Sequence, residues 1–426
     1  MIKMIFLLTI LLFYTLAFGK VLTFEEAVQI SLENNHDLKS LRDQANSLKY
    51  KSAQSLAPNS PTISYQKSDI SGFDPSAQSA SETITLGYTL NFPGKSISQS
   101  HMYKHQAESL REDAFGHEVT LMSLLYINMS SQYANEELVK TLTDEIKKTK
   151  DIILIQERKF STGQVGQVDI LNSRVTLAKL EQELLSLRNE QILLNNEFYN
   201  ILGRPNDTFT AKLESFSVVT KIDLDVNQLI EIMKKNRSTL KSQDHQVESL
   251  KNSLTYSSLQ GLPDFQFTTG VTQWNRPEAA PISGLTRDYN FGITITIPLF
   301  LPMNEWQGIK SAQADLENAE NKRKALLAQS ISDLSNAYVA YKASIDELER
   351  LTKVILPAAR ASYQLTLSSY SNGKTDFLRL NEARSTFLQT EKDIIVKRKK
   401  INQSYVELLQ AVGCEFIKKD GPHACL

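Results

Sequence analysis

The second half of this chain repeats the residue order of its first half. Residues 22–28 (LTFEEAV) match residues 224–230 (LDVNQLI) at an offset of 202 positions. The same offset relates Asn34/Asn236, Leu38/Leu240, Leu48/Leu250 and Pro61/Pro263. Later pairs share an offset of 210 positions: Gly163/Gly373, Arg174/Arg384, Glu181/Glu391 and Gly203/Gly413. Because surface loops tolerate the insertions that separate the two offsets, the sequence predicts two copies of a unit of about two hundred residues.

The repeat predicts how the chain is organised. A first unit is expected at 20–220 and a second at 221–413, between an export signal at 1–19 and a C-terminal tail at 414–426. Each unit has the pattern of a helix, a β-hairpin and then long helices. The hairpins are expected at about 61–92 and 263–300, and the long helices at about 97–202 and 305–412.

The N-terminus has the composition of an export signal, with Lys3 before an apolar run at 5–18 and small residues at 17–19. A retained membrane anchor is the alternative. Beyond residue 20, no apolar run approaches the roughly 20 residues that a membrane-spanning helix needs. If the mature protein enters a membrane, it must therefore do so as a β-barrel.

Composition excludes several classes of function. A formal net charge of -1 creates no long-range field for polyanions, so nucleic acid is not an expected partner. The two cysteines, Cys414 and Cys425, can form a disulfide in an exported protein or remain free thiols. The sequence has no phosphate-binding loop and no serine nucleophile elbow. We therefore expect no enzyme, no cofactor and no metal site.

Each unit begins with a predicted helix and continues with strands. Residues 24–57 have helical periodicity, with Thr23 as the start signal and Pro58 as the stop. Apolar and small polar residues alternate at 83–92 and 290–299, and weaker strands are expected at 62–67 and 264–272. The strong strands match the transmembrane length of about 9–11 residues. Aromatic residues lie near the strand ends, as in membrane girdles: Tyr65, Phe92, Trp274, Tyr289, Phe300 and Trp306. A soluble β-sandwich is the alternative.

Long helices are predicted after each hairpin. Leucines recur every three or four residues between Leu177 and Leu194, with only Gln191 breaking the pattern, and Phe387, Ile394, Ile401 and Leu408 recur every seventh residue. Such spacing predicts helices packed side by side as coiled coils. The segment at 100–160 could extend about 90 Å as one helix. Breaks are expected at 163–166 and at Gly373, and Pro357 suits a first helical turn.

Four predicted strands cannot close a transmembrane barrel, because the smallest known barrels need about eight. Since unpaired edges are not tolerated in lipid, copies of the chain must share a barrel. Two copies would give eight strands around a filled interior, and three would give twelve around an open one. Strand counting favours an oligomer but does not choose between these numbers.

Several short motifs resemble the TolC-like family of outer-membrane efflux proteins. Residues 22–27 with Asn34 and Leu38 resemble the start of the family pattern, and residues 163–171 resemble its first-half turn. Residues 355–357, 370–373 and 383–384 resemble the second-half signature. The similarity covers nearly all of 21–413, and the duplicated order of the motifs is its most specific feature.

The resemblance implies a mainly α fold with a membrane β-barrel portion. It implies a homotrimer with a twelve-stranded barrel above a periplasmic helical tunnel, in the outer membrane of a Gram-negative bacterium. A collar is implied near 203–224 and the C-terminal tail. The implied partners are a periplasmic adaptor, an inner-membrane efflux pump and outer-membrane lipid.

The resemblance also implies a pore closed at its periplasmic tip by acidic side chains. Glu382 lies nine residues after Gly373 and keeps the acid, whereas Arg379 replaces an acid that is frequent at its position. Asp376 lies on the same turn, and Asp169 is the first-unit equivalent of Arg379. Three copies of Glu382 at a pore axis would select for cations. Arg379 is expected to pair with Glu382 or Asp169 as a latch, and ordinary surface pairing is the alternative. The glycines of the tip turns are Gly163, Gly166 and Gly373.

The expected function is a passive exit duct of a tripartite efflux system. Its cargo could be metal cations, drugs or secreted proteins, and the compact length favours the metal-efflux branch by analogy. His101 and His105 have the spacing of a metal-binding pair but lack a third ligand at motif spacing, so we interpret them as incidental. The alternative function is a periplasmic coiled-coil structural or adhesive protein without a pore.

Overall fold

The computed structural model describes residues 21–68, 79–163, 165–205, 210–211, 225–276, 280, 284, 286–296 and 305–413. The expected signal at 1–19, Cys414, Cys425 and the tail lie outside the described residues, as does most of the expected collar segment at 203–224. The protein is mostly helical.

The elements of the first half are β1 (Val21–Leu22), α1 (Phe24–Asn34), α2 (His36–Leu56), β2 (Thr62–Ser68), β3 (Ser81–Leu90), α3 (Lys95–Ser161), α4 (Gln167–Ile201) and β4 (Thr210–Ala211). Those of the second half are α5 (Val226–Asn236), α6 (Ser238–Leu259), β5 (Asp264–Trp274), β6 (Arg287–Thr296), α7 (Glu305–Arg350), a π-helical turn (Leu351–Ile355), α8 (Leu356–Ser371) and α9 (Phe377–Val412). None of the helices in the described part of the chain is long and apolar enough to cross a membrane.

The chain divides into two compact units. Unit 1 contains Met1–Lys39, Ala114–Ser238 and Leu327–Leu426, and unit 2 contains Ser40–Asp113 and Thr239–Leu326. Unit 1 holds the helical turns at 162–166 and 372–376, and unit 2 holds the larger sheet. In unit 1, β1 pairs in parallel with β4.

The first helical segment begins as predicted but is interrupted. Thr23 caps α1, because its hydroxyl accepts a hydrogen bond from the backbone N–H of Glu26 and the Glu26 carboxylate accepts one from the N–H of Thr23. The prediction of one helix over 24–57 is wrong at Asn35, which has extended backbone angles. The Asn35 side chain accepts a hydrogen bond from the N–H of Leu38 at 2.8 Å, so it starts a second helix, α2.

The sheet of unit 2 has four antiparallel strands in the order β2-β3-β5-β6. Strand β3 starts and ends two residues earlier than predicted, so Phe92 lies beyond it. β5 extends two residues further than predicted, to Trp274, and β6 starts at Arg287, with 297–299 of its predicted range outside the described residues. Trp306 lies in the first turn of α7 rather than at a strand end.

Alternation in these strands separates an apolar face from a polar one. Tyr65, Ile84 and Val271 lie on one face at neighbouring positions of three paired strands. On the other face, the hydroxyls of Thr83 and Thr272 are 3.0 Å apart and hydrogen-bonded. The predicted period of two is therefore confirmed across the sheet.

The long helices follow the predicted spacing. α3 is one continuous helix of 67 residues, which confirms the long helix predicted at 100–160. Along α9, Ile394, Ile401 and Leu408 are buried, as their seven-residue spacing predicts. Pro357 lies in the first turn of α8, directly after a π-helical turn. Since proline has no backbone N–H, it cannot donate the hydrogen bond of a regular helix.

Candidate pore constriction and its buried anchor

Two glycines form the turns between paired helices in unit 1. Gly163 lies between α3 and α4 with φ of 73°, and Gly373 lies between α8 and α9 with φ of 71°. A Cβ atom added to either glycine would meet nothing within 4 Å. The left-handed backbone, rather than crowding, therefore favours glycine at both turns. Gly166 differs, because it caps α4 with φ of -80°, an angle open to any residue.

The four candidate gate residues lie near the starts of the helices that follow these glycines: Asp169 in the first turn of α4, Asp376 as the cap of α9, Arg379 in its first turn and Glu382 in its second. Asp376 caps α9, and its carboxylate accepts a hydrogen bond from the N–H of Arg379 at 2.9 Å. Arg379 and Glu382 are exposed, whereas Asp169, in the first turn of α4, is half-buried. Within the described ranges of one chain, no ion pair joins Arg379 to Glu382 or to Asp169, and the latch stays a prediction for the assembled pore.

Tyr370 connects the two turns. The ammonium of Lys159, at the end of α3, lies 5.2 Å from the centre of the Tyr370 ring. The ring of Phe377, at the start of α9, meets Tyr370 edge-on at 6.1 Å. Burial raises the pKa of the Tyr370 hydroxyl, and the negative charge of Asp169 raises it further. The side chains of Lys159, Tyr370 and Phe377 therefore pack together at the ends of α3 and α8 and the start of α9.

An ion pair buried in unit 1 holds α9 against α3. Arg384 is 5% exposed, and its guanidinium donates to the carboxylate of Glu145 and to the hydroxyl of Thr149. Glu145 is 7% exposed and Thr149 is fully buried. Hydrophobic side chains nearby form one cluster: Leu142, Ile146, Leu180 and Leu388. A charge pair shielded in this way fixes the contact between the two helices, because neither partner can be solvated alone.

Sequence reasoning identified Arg384 as a repeated residue and as part of the second-half family signature, but it missed the partners of this side chain. The burial of Arg384 could have been found from its spacing, since Leu380 and Leu388 lie four residues to either side and are both buried. Glu145 could not have been found in this way, because it lies 239 positions away in the sequence.

The histidines of unit 2 form a pair that the sequence did not predict. His105 stacks on His245 with ring centres 5.8 Å apart, rather than pairing with His101. Burial lowers the pKa of His105, and the neighbouring His245 lowers it further. Among the described residues, no group of three or more His, Cys, Asp or Glu side chains is arranged to hold a metal ion.

The model of the family described as outer membrane efflux protein matches residues 27–204 and 229–414. The chain belongs to this family. The resemblance to TolC-like efflux proteins that the short motifs suggested is thereby confirmed. Gly163 lies in the first matched segment of this efflux protein, and Gly373 and Arg384 lie in the second. No curated protein sequence matches the chain.

Solved structures share the fold of this efflux protein at low sequence identity. CusC has a TM-score of 0.77 at 14% identity, over 92% of each chain. VceC from Vibrio cholerae has a TM-score of 0.75 at 14% identity, over 92% of this chain and 97% of VceC. The Campylobacter jejuni CmeC outer membrane channel has a TM-score of 0.74 at 17% identity, over 92% of this chain and 85% of CmeC.

Proposed function

We propose that this efflux protein is a passive exit duct in the outer membrane of a Gram-negative bacterium, formed by three copies of a chain built from two similar units at about 20–220 and 221–413. An inner-membrane pump would deliver substrates to it through a periplasmic adaptor. The observation that carries the proposal is the four-stranded sheet of unit 2, which has an exposed apolar face and, among the described residues, two edge strands that each pair with only one neighbour. Family membership supports the efflux role.

The apolar face of the sheet supports contact with lipid. Ile63 and Tyr289 are each 77% exposed, and Phe291 is 72% exposed. Further exposed apolar side chains continue this face: Tyr65, Ile84, Leu86, Leu90, Ile293 and Ile295. Exposing this much apolar area to water would be unfavourable by about 25 cal/mol for each Å². Contact with acyl chains removes that cost, and the polar opposite face would line a wet interior.

The free edges support a barrel shared between copies. Among the described residues, β2 pairs only with β3, and β6 pairs only with β5. Unpaired backbone groups are too costly in lipid, so both edges need a partner strand. Three copies would supply twelve strands, which is wide enough for a water-filled bore, whereas eight strands leave an interior filled by side chains.

The helices of unit 1 support the same assembly. α4 buries Leu180 and Phe198 within the chain but leaves Leu185 60% exposed and Leu193 68% exposed. Val339, on α7, is 64% exposed. Coiled-coil helices normally cover such side chains with a neighbouring helix. In a trimer, helices of the adjacent copies would cover them in a periplasmic tunnel.

At the tip of this tunnel, Glu382, Arg379, Asp376 and Asp169 would set the charge of the constriction. Asp169 and Arg379 lie in the first turns of α4 and α9, Asp376 caps α9, and Glu382 lies in its second turn. Arg379 and Glu382 are exposed. The wall of such a duct needs only to be wet and smooth. The pump would therefore select the substrate.

The proposal is tested by expressing the whole chain with its export signal and fractionating the cells. We expect the protein in outer-membrane extract, as a trimer that migrates as a monomer only after heating. The purified trimer should give discrete conductance steps in a planar bilayer. A monomer in the soluble periplasm would contradict the assembly. A trimer without conductance would contradict the duct and favour a structural role.

The constriction is tested separately by the variants Glu382→Ala and Arg379→Ala, with Glu317→Ala at an exposed position of α7 as the matched control. Removing the carboxylate should lower the preference for cations, and removing the guanidinium should raise it. Unchanged closed-state leak and ion selectivity in both variants would show that these residues do not form the gate.

A further inference from the structure

In the sheet of unit 2, the edge strands are β2 and β6, and the central strands β3 and β5 pair with each other. The sequence repeat relates each edge strand to one of the central strands. β2 begins at Thr62 and β5 begins at Asp264, 202 positions later, and each strand directly follows a proline. In the hairpins, Thr62 pairs with Gly87 and Asp264 pairs with Thr296, which lies 209 positions after Gly87. The hairpin register thus matches β2 to β5 and β3 to β6.

The side chains agree with this correspondence. An offset of 209 places Ile84 on Ile293, Leu86 on Ile295 and Thr85 on Thr294. The first two pairs are exposed apolar residues, so the correspondence conserves the two faces of the sheet.

The contact between β3 and β5 then provides a template for the free edges. Inside the chain, Thr85 pairs with Gly270, and Gly87 pairs with Thr268. The offsets convert the first pair into Thr294 opposite Ser68, and the second into Thr296 opposite Gln66. Because one chain has only one of each edge strand, Ser68 and Gln66 must come from a second copy.

We propose that Thr294, Ile295 and Thr296 of one copy pair, antiparallel, with Ser68, Lys67 and Gln66 of a second copy. This inference rests on the proposed trimer and specifies the register of its seam. All of these positions except Lys67 and Ser68 are exposed, and those two are half-buried.

The two faces of the sheet restrict which other registers can compete. In the proposed register, Thr294 and Thr296 share the polar face with Ser68 and Gln66, as Thr83 and Thr272 do inside the chain. A slip by one residue would turn Ile63 and Tyr65 toward the polar face and Ser64 and Gln66 toward the apolar face, so it is excluded. A slip by two residues conserves the faces, but it would make the seam differ from the β3–β5 contact and change the tilt of all strands in a closed barrel.

Disulfide scanning of the full-length protein in outer membranes tests the register. In a background with Cys414→Ser and Cys425→Ser, Thr294→Cys is combined in turn with Ser68→Cys, Gln66→Cys and Ser64→Cys, all on the same face of β2. After oxidation, covalent dimers and trimers are measured on a non-reducing gel. We expect the Ser68→Cys combination to form them several times faster than the other two. Thr83→Cys with Thr272→Cys, which should crosslink within one chain, controls for access of the oxidant.

Each outcome separates this inference from the proposed function. Faster crosslinking through Gln66→Cys or Ser64→Cys in a native-size trimer would overturn the register and leave the duct intact. A trimer in which no combination crosslinks, while the control does, would overturn the contact between β6 and β2. A monomer without crosslinks would overturn both proposals.

Discussion

Two arginines that the predicted sequence repeat places at equivalent positions have opposite environments. Arg174, on α4, and Arg384, on α9, lie 210 positions apart. The Arg174 side chain is 61% exposed and pairs with Glu157 at 2.9 Å, whereas that of Arg384 is 6% exposed and pairs with Glu145. Equivalent sequence positions therefore give one surface pair and one buried pair.

The difference follows from the helix that precedes each arginine. Glu157 lies on α3, directly before the turn that leads to Arg174. The residue 210 positions after Glu157 is Leu367, so α8 offers no carboxylate at that place to Arg384. Arg384 instead reaches α3 of the first half, where α9 packs and water is excluded. Arg384, which has no carboxylate partner on the preceding helix, thus forms an ion pair with Glu145 in the first half of the sequence.

The largest expected effect is on stability when each arginine is replaced by methionine. Arg384→Met leaves the buried Glu145 carboxylate with only the exposed Lys148, 3.7 Å away, as an ion-pair partner, which should cost about 3–5 kcal/mol of unfolding free energy. Arg174→Met removes an exposed pair and should cost less than about 1 kcal/mol. Denaturant unfolding followed by helical circular dichroism measures both. Equal losses would show that burial does not distinguish the two pairs.

Replacing both charges separates an ion-pair effect from a packing effect. In Glu145→Leu combined with Arg384→Met, no charge stays buried, so the double variant should be more stable than Arg384→Met alone. Thr149 keeps a hydrogen bond from its hydroxyl to the backbone carbonyl of Glu145, at 2.7 Å, in both variants. A double variant as unstable as the single one would assign the loss to packing.

Equivalent glycines give the next largest effect. Gly413 and Gly203 end α9 and α4 with φ of 82° and 69°. An added Cβ would lie 2.6 Å from the backbone of Arg237 at Gly413, and 3.1 Å from that of Asn34 at Gly203. At Gly163, where nothing lies within 4 Å, alanine should cost only the left-handed backbone term of about 1–2 kcal/mol.

We therefore expect the loss of thermal stability to decrease from Gly413→Ala to Gly203→Ala to Gly163→Ala. The melting temperature of the purified protein measures this order. If all three variants melt together, the backbone angle alone sets the cost, and the close approach at Gly413 has no energetic consequence.

The contrast between the arginines also shows what sequence can and cannot predict. Features that depend on neighbouring residues were predicted from the sequence: the Thr23 cap, the period of two in the strands and the seven-residue spacing along α9. The break between α1 and α2 at Asn35 was not predicted, because an asparagine within a helical pattern can lie on the surface of one helix as easily as at a helix end. The structure shows that the Asn35 side chain caps α2 and so separates it from α1.

The hydrogen-bond partners of Arg384 that lie far away in the sequence could not be predicted. Thr149 and Glu145 reach Arg384 only because α3 and α9 pack together, and nothing in their local sequence specifies that contact. The gate residues Glu382 and Arg379 stay predictions, because their proposed role depends on other copies of the chain. Sequence thus predicted the elements and their faces, whereas the folded structure was needed to pair the buried charges.

The smallest effect concerns His105, a half-buried residue whose Nδ1 atom is, among the described residues, buried without a hydrogen-bond partner. Burial lowers the pKa of His105 below its unfolded value of about 6.5, so the fold favours the neutral ring. The resulting stability is complete above pH of about 6.5 and is lost as the pH falls below it. Solvent keeps this loss small, because His105 is only half-buried. His105→Gln should flatten this decline in denaturant midpoints measured from pH 7.5 to 5, whereas His36→Gln, at an exposed position, is the matched control. If His105→Gln keeps the full decline, protonation of His105 is not its cause.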